Sequence, residues 1–220
     1  MEVIMKKTDT KKLAVLAMLC ALAYIIVAFV RIPAALFLKY EPKDVVITIG
    51  GFLYGPFASL AMSVVVSFIE MITISDTGWI GFAMNVLSTA AFACTASLIY
   101  KKKHTLSGAV LGMVIGTIMM TVVMVAWNYV LTPIYMETPR SEVASMLLPV
   151  FLPFNLIKGI LNAAITALLF RPLVQTLRKA NLFPQSQNQK APSAKHKLWF
   201  YIFAAVSLLV GIAWMIYKNI

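Results

Sequence analysis

Residues 106–131 read LSGAVLGMVIGTIMMTVVMVAWNYVL, without one charged side chain from end to end. At a rise of 1.5 Å per residue, about 20 such residues cross the ~30 Å hydrocarbon core of a bilayer as a helix. Working outward from this stretch, the same reading recurs on both sides. Runs at 57–74 and 79–100 precede it, and a run at 146–170, closed by Arg171-Pro172, follows it. The first run spans 13–32 and is closed by Pro33; a short one begins at Asp44, covers 45–53 and ends at the Tyr54-Gly55-Pro56 break. That second run is too short for a full span and is expected to pack within the bundle. Pro133 is expected to close the central run. The chain reads as an all-α, multi-pass membrane protein with six helices in residues 1–180.

Composition agrees. Of 220 residues, 61% are hydrophobic and 12% charged, whereas a soluble chain is about 45–50% apolar and roughly 25% charged. The net charge of +11 lies in short clusters between apolar runs, which points to anionic lipid headgroups and away from nucleic acid. Cys20 and Cys94 sit inside apolar runs, so neither a disulfide framework nor a metal site is expected. The basic start Lys6, Lys7, Lys11, Lys12 resembles a signal peptide's n-region. The apolar stretch after it exceeds an h-region and leads directly into more spans, so it is read as a retained helix.

Charge also orients the bundle. With a cytoplasmic N-terminus, Lys101–Lys103, Arg171, Arg178, Lys179 and the basic N-terminal residues fall inside, and only Arg31, Lys39, Lys43 and Arg140 fall outside. An odd error in counting spans would destroy this asymmetry. Residues 181–197, containing the aperiodic QSQNQKAPSAKHK, read as a flexible cytoplasmic linker. A seventh apolar run follows within 198–220, with Trp199/Tyr201 and Trp214/Tyr217 at its two ends, and reads as an extra C-terminal transmembrane helix.

Polar groups inside a bilayer are costly, so each is a candidate for function. Asn155, Lys158 and Asn162, spaced i, i+3 and i+7, share one helix face. A lysine and two amides offer fixed donors and acceptors to a carbonyl-bearing or polyhydroxylated ligand; an interhelical hydrogen-bond seam is the alternative. Trp127 and Asn128 lie near the outer end of one run, and Trp79 and Asn85 near the outer end of another. An aromatic face beside an amide suits a flat heteroaromatic ring, although such aromatics also serve as interfacial belts. In the loop 38–44, Tyr40 and Glu41 are placed to cover a pocket, and Asp44 occupies an N-cap position. Glu70 sits in a polar stripe with Ser63, Ser67 and Thr73 near an outer end, where hydration and ligand contact are equally open. Ala14, Ala17, Ala21 and Ala28 make a smooth face on the first run, suited to a partner helix. No HExxH, Walker loop, GxSxG or Cys/His cluster is present, so no enzyme and no resident cofactor or metal is expected.

Taken together, YEPKDVVITIGGFLYGP (40–56), TGWIGFAMNVLS (77–88), NYVLTPIY (128–135) and LPFNLIK (152–158) resemble the substrate-binding S components of energy-coupling-factor (ECF) vitamin transporters, in particular those for riboflavin. The similarity covers about 10–180. It implies a six-transmembrane-helix S-component bundle in the cell membrane that takes riboflavin from outside. It further implies a transmembrane coupling subunit and two ATPases as partners, with FMN an open second ligand. By motif match, Asn128, Asn155 and Lys158 would touch the ligand, the 39–41 loop (Lys39, Tyr40, Glu41) would cover its ring, and the Ala17-xxx-Ala21 face would dock on the coupling subunit. The seventh run departs from the six-helix plan. An S component for thiamine or a folate, or a structural membrane protein, are the other readings.

Overall fold

The computed structural model describes residues 2–182 and Ala213; the expected extra C-terminal helix, apart from Ala213, and nearly all of the expected linker lie outside the described residues. Six helices carry the fold: α1 (Glu2–Phe29), α2 (Lys43–Tyr54), α3 (Pro56–Thr73), α4 (Gly78–Lys103), α5 (Leu106–Met136) and α6, made of Arg140–Met146, a π turn at Leu147–Phe151 and Leu152–Lys179. All but α2 contain a window long and apolar enough to cross a membrane.

The short helix is the centre of the bundle. α2 has 12 residues, about 18 Å of helix, and every residue from Lys43 through Phe52 is buried. Its sequence is apolar on all sides, as a helix surrounded by others requires. Gly50-Gly51 lets the neighbours in: a Cβ on Gly51 would overlap the hydroxyls of Ser59 on α3 and Ser97 on α4. The α4–α5 seam uses the same device. A Cβ on Gly112 would stand 2.7 Å from the Ala96 carbonyl oxygen, so the two backbones meet through small residues, the main source of tight helix packing where lipid replaces water. Two buried threonines within α5 are satisfied along their own helix. Thr117 Oγ1 donates to the Met113 carbonyl at 2.9 Å and Thr121 Oγ1 to that of Thr117 at 2.8 Å.

Four boundaries differ from the sequence reading. The first helix ends at Phe29 and gives way to an antiparallel hairpin, β1 (Ile32–Ala35) and β2 (Leu38–Tyr40), paired Ile32↔Tyr40, Pro33↔Lys39 and Ala35↔Leu38. Pro33 cannot continue a helix, and Leu36 takes a left-handed φ of 52° in the turn. α5 runs past Pro133 to Met136, and α6 runs past Pro172 to Lys179. A proline removes one hydrogen bond, and in a packed membrane helix that loss is smaller than the loss of the turns beyond it. α6 also starts earlier than expected, at Arg140; Pro149 lies within the π turn near its start and Pro153 just beyond it, and neither has an N–H group.

Candidate functional site

The pocket forms where α1 hands over to the hairpin, α3 turns into α4, and α5 gives way to α6. It encloses about 730 Å³ of non-atom space, part of it open to solvent. Since α4 runs away from this end to Lys101–Lys103, the pocket lies opposite the lysine cluster.

Its inner wall is polar and comes from three helices. Asn128 on α5 donates an amide hydrogen to the Met124 carbonyl at 2.7 Å and accepts from Thr132 Oγ1 at 3.0 Å. Asn155 on α6 donates to the Phe151 carbonyl, one turn back, at 2.8 Å. These bonds fix both amide planes and leave the remaining amide groups to the cavity. Lys158, one turn on, is 5% exposed. Its Nζ lies 3.4 Å from Asp44 Oδ2 and donates to Ser88 Oγ at 3.4 Å. Apolar surface comes from Ile80, Met84, Met124 and Phe154, with Phe37 and Tyr135 meeting edge to face at 5.0 Å.

A charged cluster forms another wall. Arg31 donates through Nε to Glu41 at 3.1 Å, through Nη2 to Glu70 at 2.6 Å and through Nη1 to the Ile74 carbonyl at 2.6 Å. Lys43, with no exposed surface, donates to Glu41 at 2.7 Å and also to Glu70. Asn85 donates to Glu70 at 3.1 Å. Burial alone would push the Glu41 carboxyl up; Lys43 first, then Lys158 and Arg31, hold it below the usual carboxylate range. At the rim, Lys39 on β2 reaches Asp76 in the α3–α4 turn, and that hydrogen bond holds the Asp76 carboxyl low.

Of the residues singled out from sequence, Lys39, Glu41, Asn85, Asn128, Asn155 and Lys158 line this one cavity. Four others do not. Tyr40 turns inward and donates to Asn162 Oδ1 at 3.1 Å, and Asn162 in turn donates to Asp44 Oδ2 at 3.1 Å, so both serve the wall behind the cavity. Trp79 is 70% exposed and stacks edge-on against Phe82 at 5.9 Å. Trp127 is half-buried off the pocket, its Nε1 buried without a partner. Ala14, Ala17 and Ala21 are exposed on the outer face of α1, opposite the buried stripe Val15, Leu19, Ala23 and Val27.

One expectation is corrected. Asp44 does not cap α2: Pro42 holds that position, and the Asp44 carboxylate is instead buried, taking a 2.6 Å hydrogen bond from Thr89. Of the two readings open for Glu70, hydration falls away: it is 1% exposed, ion-paired and part of the cavity lining. Arg31, Phe37, Ser88 and Phe154 went unnoticed in the sequence, the last three because small or apolar side chains in apolar runs carry no signal. Arg31 did carry one, as an arginine at the end of an apolar run.

Residues 11–170 match the family described as ECF transporter, substrate-specific component. The chain belongs to that family. The S-component match takes in every cavity-lining residue. Among relatives, the chain is similar to the riboflavin transporter RibU of Streptococcus thermophilus (strain ATCC BAA-250 / LMG 18311), 30% identical over 184 residues, covering 78% of this chain and 87% of the relative. The riboflavin transporter FmnP of Bacillus subtilis (strain 168) is 28% identical over 188 residues, covering 78% and 98%. A solved structure of the S component of a bacterial ECF transporter superimposes with a TM-score of 0.67 at 30% identity, covering 77% of this chain and 99% of that one. This S component is therefore a helical membrane protein that shares its fold with a solved S component, with six helices and a hairpin between α1 and α2 among the described residues.

Proposed function

We propose that this S component captures riboflavin from the external side and delivers it to the cytoplasm as part of an ECF importer, with a transmembrane coupling subunit and two ATPase subunits. The observation that carries the reading is the cavity wall of Asn128, Asn155 and Lys158, placed beside apolar and aromatic surface. Amides and an ammonium suit the carbonyl and nitrogen edge of a flat heteroaromatic ring, and the apolar side chains suit its faces. The names of the curated relatives point to the same ligand.

Charge balance supports an uncharged ligand. Arg31, Lys39, Lys43 and Lys158 are each within ion-pair distance of one or two of Glu41, Asp44, Glu70 and Asp76. Four cations thus meet four carboxylates, and the phosphate of FMN would have to break a pair to gain one. The pocket's position opposite Lys101–Lys103 supports an external mouth and a cytoplasmic N-terminus. The exposed Ala14, Ala17 and Ala21 supply the face for the coupling subunit.

Flavin-fluorescence titration of the purified protein tests the ligand. Asn155→Ala and Lys158→Ala should each weaken riboflavin binding about tenfold to a hundredfold, the effect of deleting a buried hydrogen-bonding partner. Wild-type affinity in both variants would remove the pocket assignment.

A further inference from the structure

We propose that Asp44 is a positioning residue for ligand capture: buried behind the cavity wall, it fixes the Lys158 ammonium that faces the cavity. The inference rests on the riboflavin reading above.

Asp44 is fully buried in the first turn of α2 and does not line the cavity. Each of its carboxylate oxygens is held by a neutral side chain from a different helix. Oδ1 accepts from Thr89 Oγ1 on α4 at 2.6 Å, and Oδ2 accepts from Asn162 Nδ2 on α6 at 3.1 Å. Asn162 is itself set by Tyr40, whose hydroxyl donates to its Oδ1 at 3.1 Å. The carboxylate is therefore anchored independently of the lysine, and its Oδ2 lies 3.4 Å from Lys158 Nζ.

A lysine side chain ends in a point charge on a flexible stem with three donors. In Lys158, the ammonium meets Asp44 behind the cavity wall and Ser88 on the cavity lining, and with three donors it keeps capacity toward a ligand. Without Asp44, the ammonium would lose both its fixed position and its buried counter-charge, and an unpaired buried cation is strongly unfavourable. The chain Tyr40–Asn162–Asp44–Lys158 also joins the hairpin to the cavity wall through side chains alone. An ion pair serving only the fold would stabilise the protein without setting how Lys158 meets the ligand.

A double-mutant cycle separates the two roles. Riboflavin affinity is measured by fluorescence quenching for the wild type, Asp44→Asn, Lys158→Met and the double variant in detergent. Asp44→Asn should weaken binding about tenfold or more, and in the Lys158→Met background it should change affinity less than about twofold. Equal losses in both backgrounds would overturn the proposal while leaving the riboflavin reading intact. Should Asp44→Asn fail to fold, Thr89→Val carries the cycle. It removes one anchor of Asp44 outside the cavity lining, and a few-fold loss that vanishes with Lys158→Met is expected. Additive losses there overturn the proposal equally. A wild-type protein that fails to quench riboflavin fluorescence overturns the ligand reading together with the proposal.

Discussion

Lys43 has no exposed surface, and its ammonium is shared between Glu41 and Glu70. Removing one partner of a buried ion pair leaves the other charges uncompensated and costs about 3–5 kcal/mol. Lys43→Met should therefore lower the thermal unfolding midpoint in detergent sharply, since Glu41 and Glu70 would lose the ammonium they share and keep only Arg31 as an ion-pair partner among the described residues, with Lys158 acting on Glu41 from further away. Adding Glu41→Gln to Lys43→Met should recover part of the loss, and no recovery would mean that the pairing is not the source of the instability. At this scale the sequence was only partly legible. Asn128, Asn155 and Lys158 stood out because polar groups in apolar helices are costly, and they do face one cavity. Asp44 was misjudged and Glu70 left undecided for a common reason: both lie near helix ends, where capping and hydration are the local defaults. Their burial arises from partners far away in sequence, Asn162 for Asp44 and Arg31 for Glu70.

Two helix surfaces carry predictions of opposite kinds. On the α4–α5 seam, Gly112 lies against the Ala96 backbone, which cannot move aside as a flexible side chain can. Gly112→Leu should force the helices apart, an overpacking cost of roughly 1–3 kcal/mol or more, and should show as a lowered unfolding midpoint and reduced yield of folded protein. On the outer face of α1, Ala17 and Ala21 are exposed among the described residues. The double variant Ala17→Trp/Ala21→Trp should keep riboflavin affinity within a few-fold of wild type while losing co-purification with the coupling subunit. Retained assembly and uptake would show that the face is ordinary lipid-exposed alanine. Helix existence was readable throughout, because a long uncharged run has few alternatives in a membrane protein. Helix ends were less so. Pro33 does mark a boundary, but Pro133 and Pro172 do not, since whether a proline stops a helix depends on the packing of the turns beyond it. The hairpin was hidden inside residues that read as the end of one span and the start of a loop.

For the molecule as a whole, the described residues that line the cavity run from Arg31 to Lys158, and the family match ends at residue 170. Deleting residues 184–220 should therefore leave riboflavin affinity within a few-fold of wild type. A larger loss in the same titration would place the extra C-terminal run in the binding core. The sequence by itself determined the membrane class, the number of helices before the linker and the short helix between longer ones. These follow from hydropathy and length, which the bilayer fixes through its thickness and its lack of hydrogen-bonding solvent. The polar face of α6 was equally determined, because helical periodicity alone aligns Asn155, Lys158 and Asn162. Only the tertiary structure decided which of those residues meet the cavity and which stand behind it. Asn155 and Lys158 line the cavity, whereas Asn162 is turned to Tyr40 and Asp44. That division depends on how α2 threads between α4 and α6, and the carboxylates that pair with Lys158, Lys43 and Arg31 are brought to them by packing rather than by local spacing.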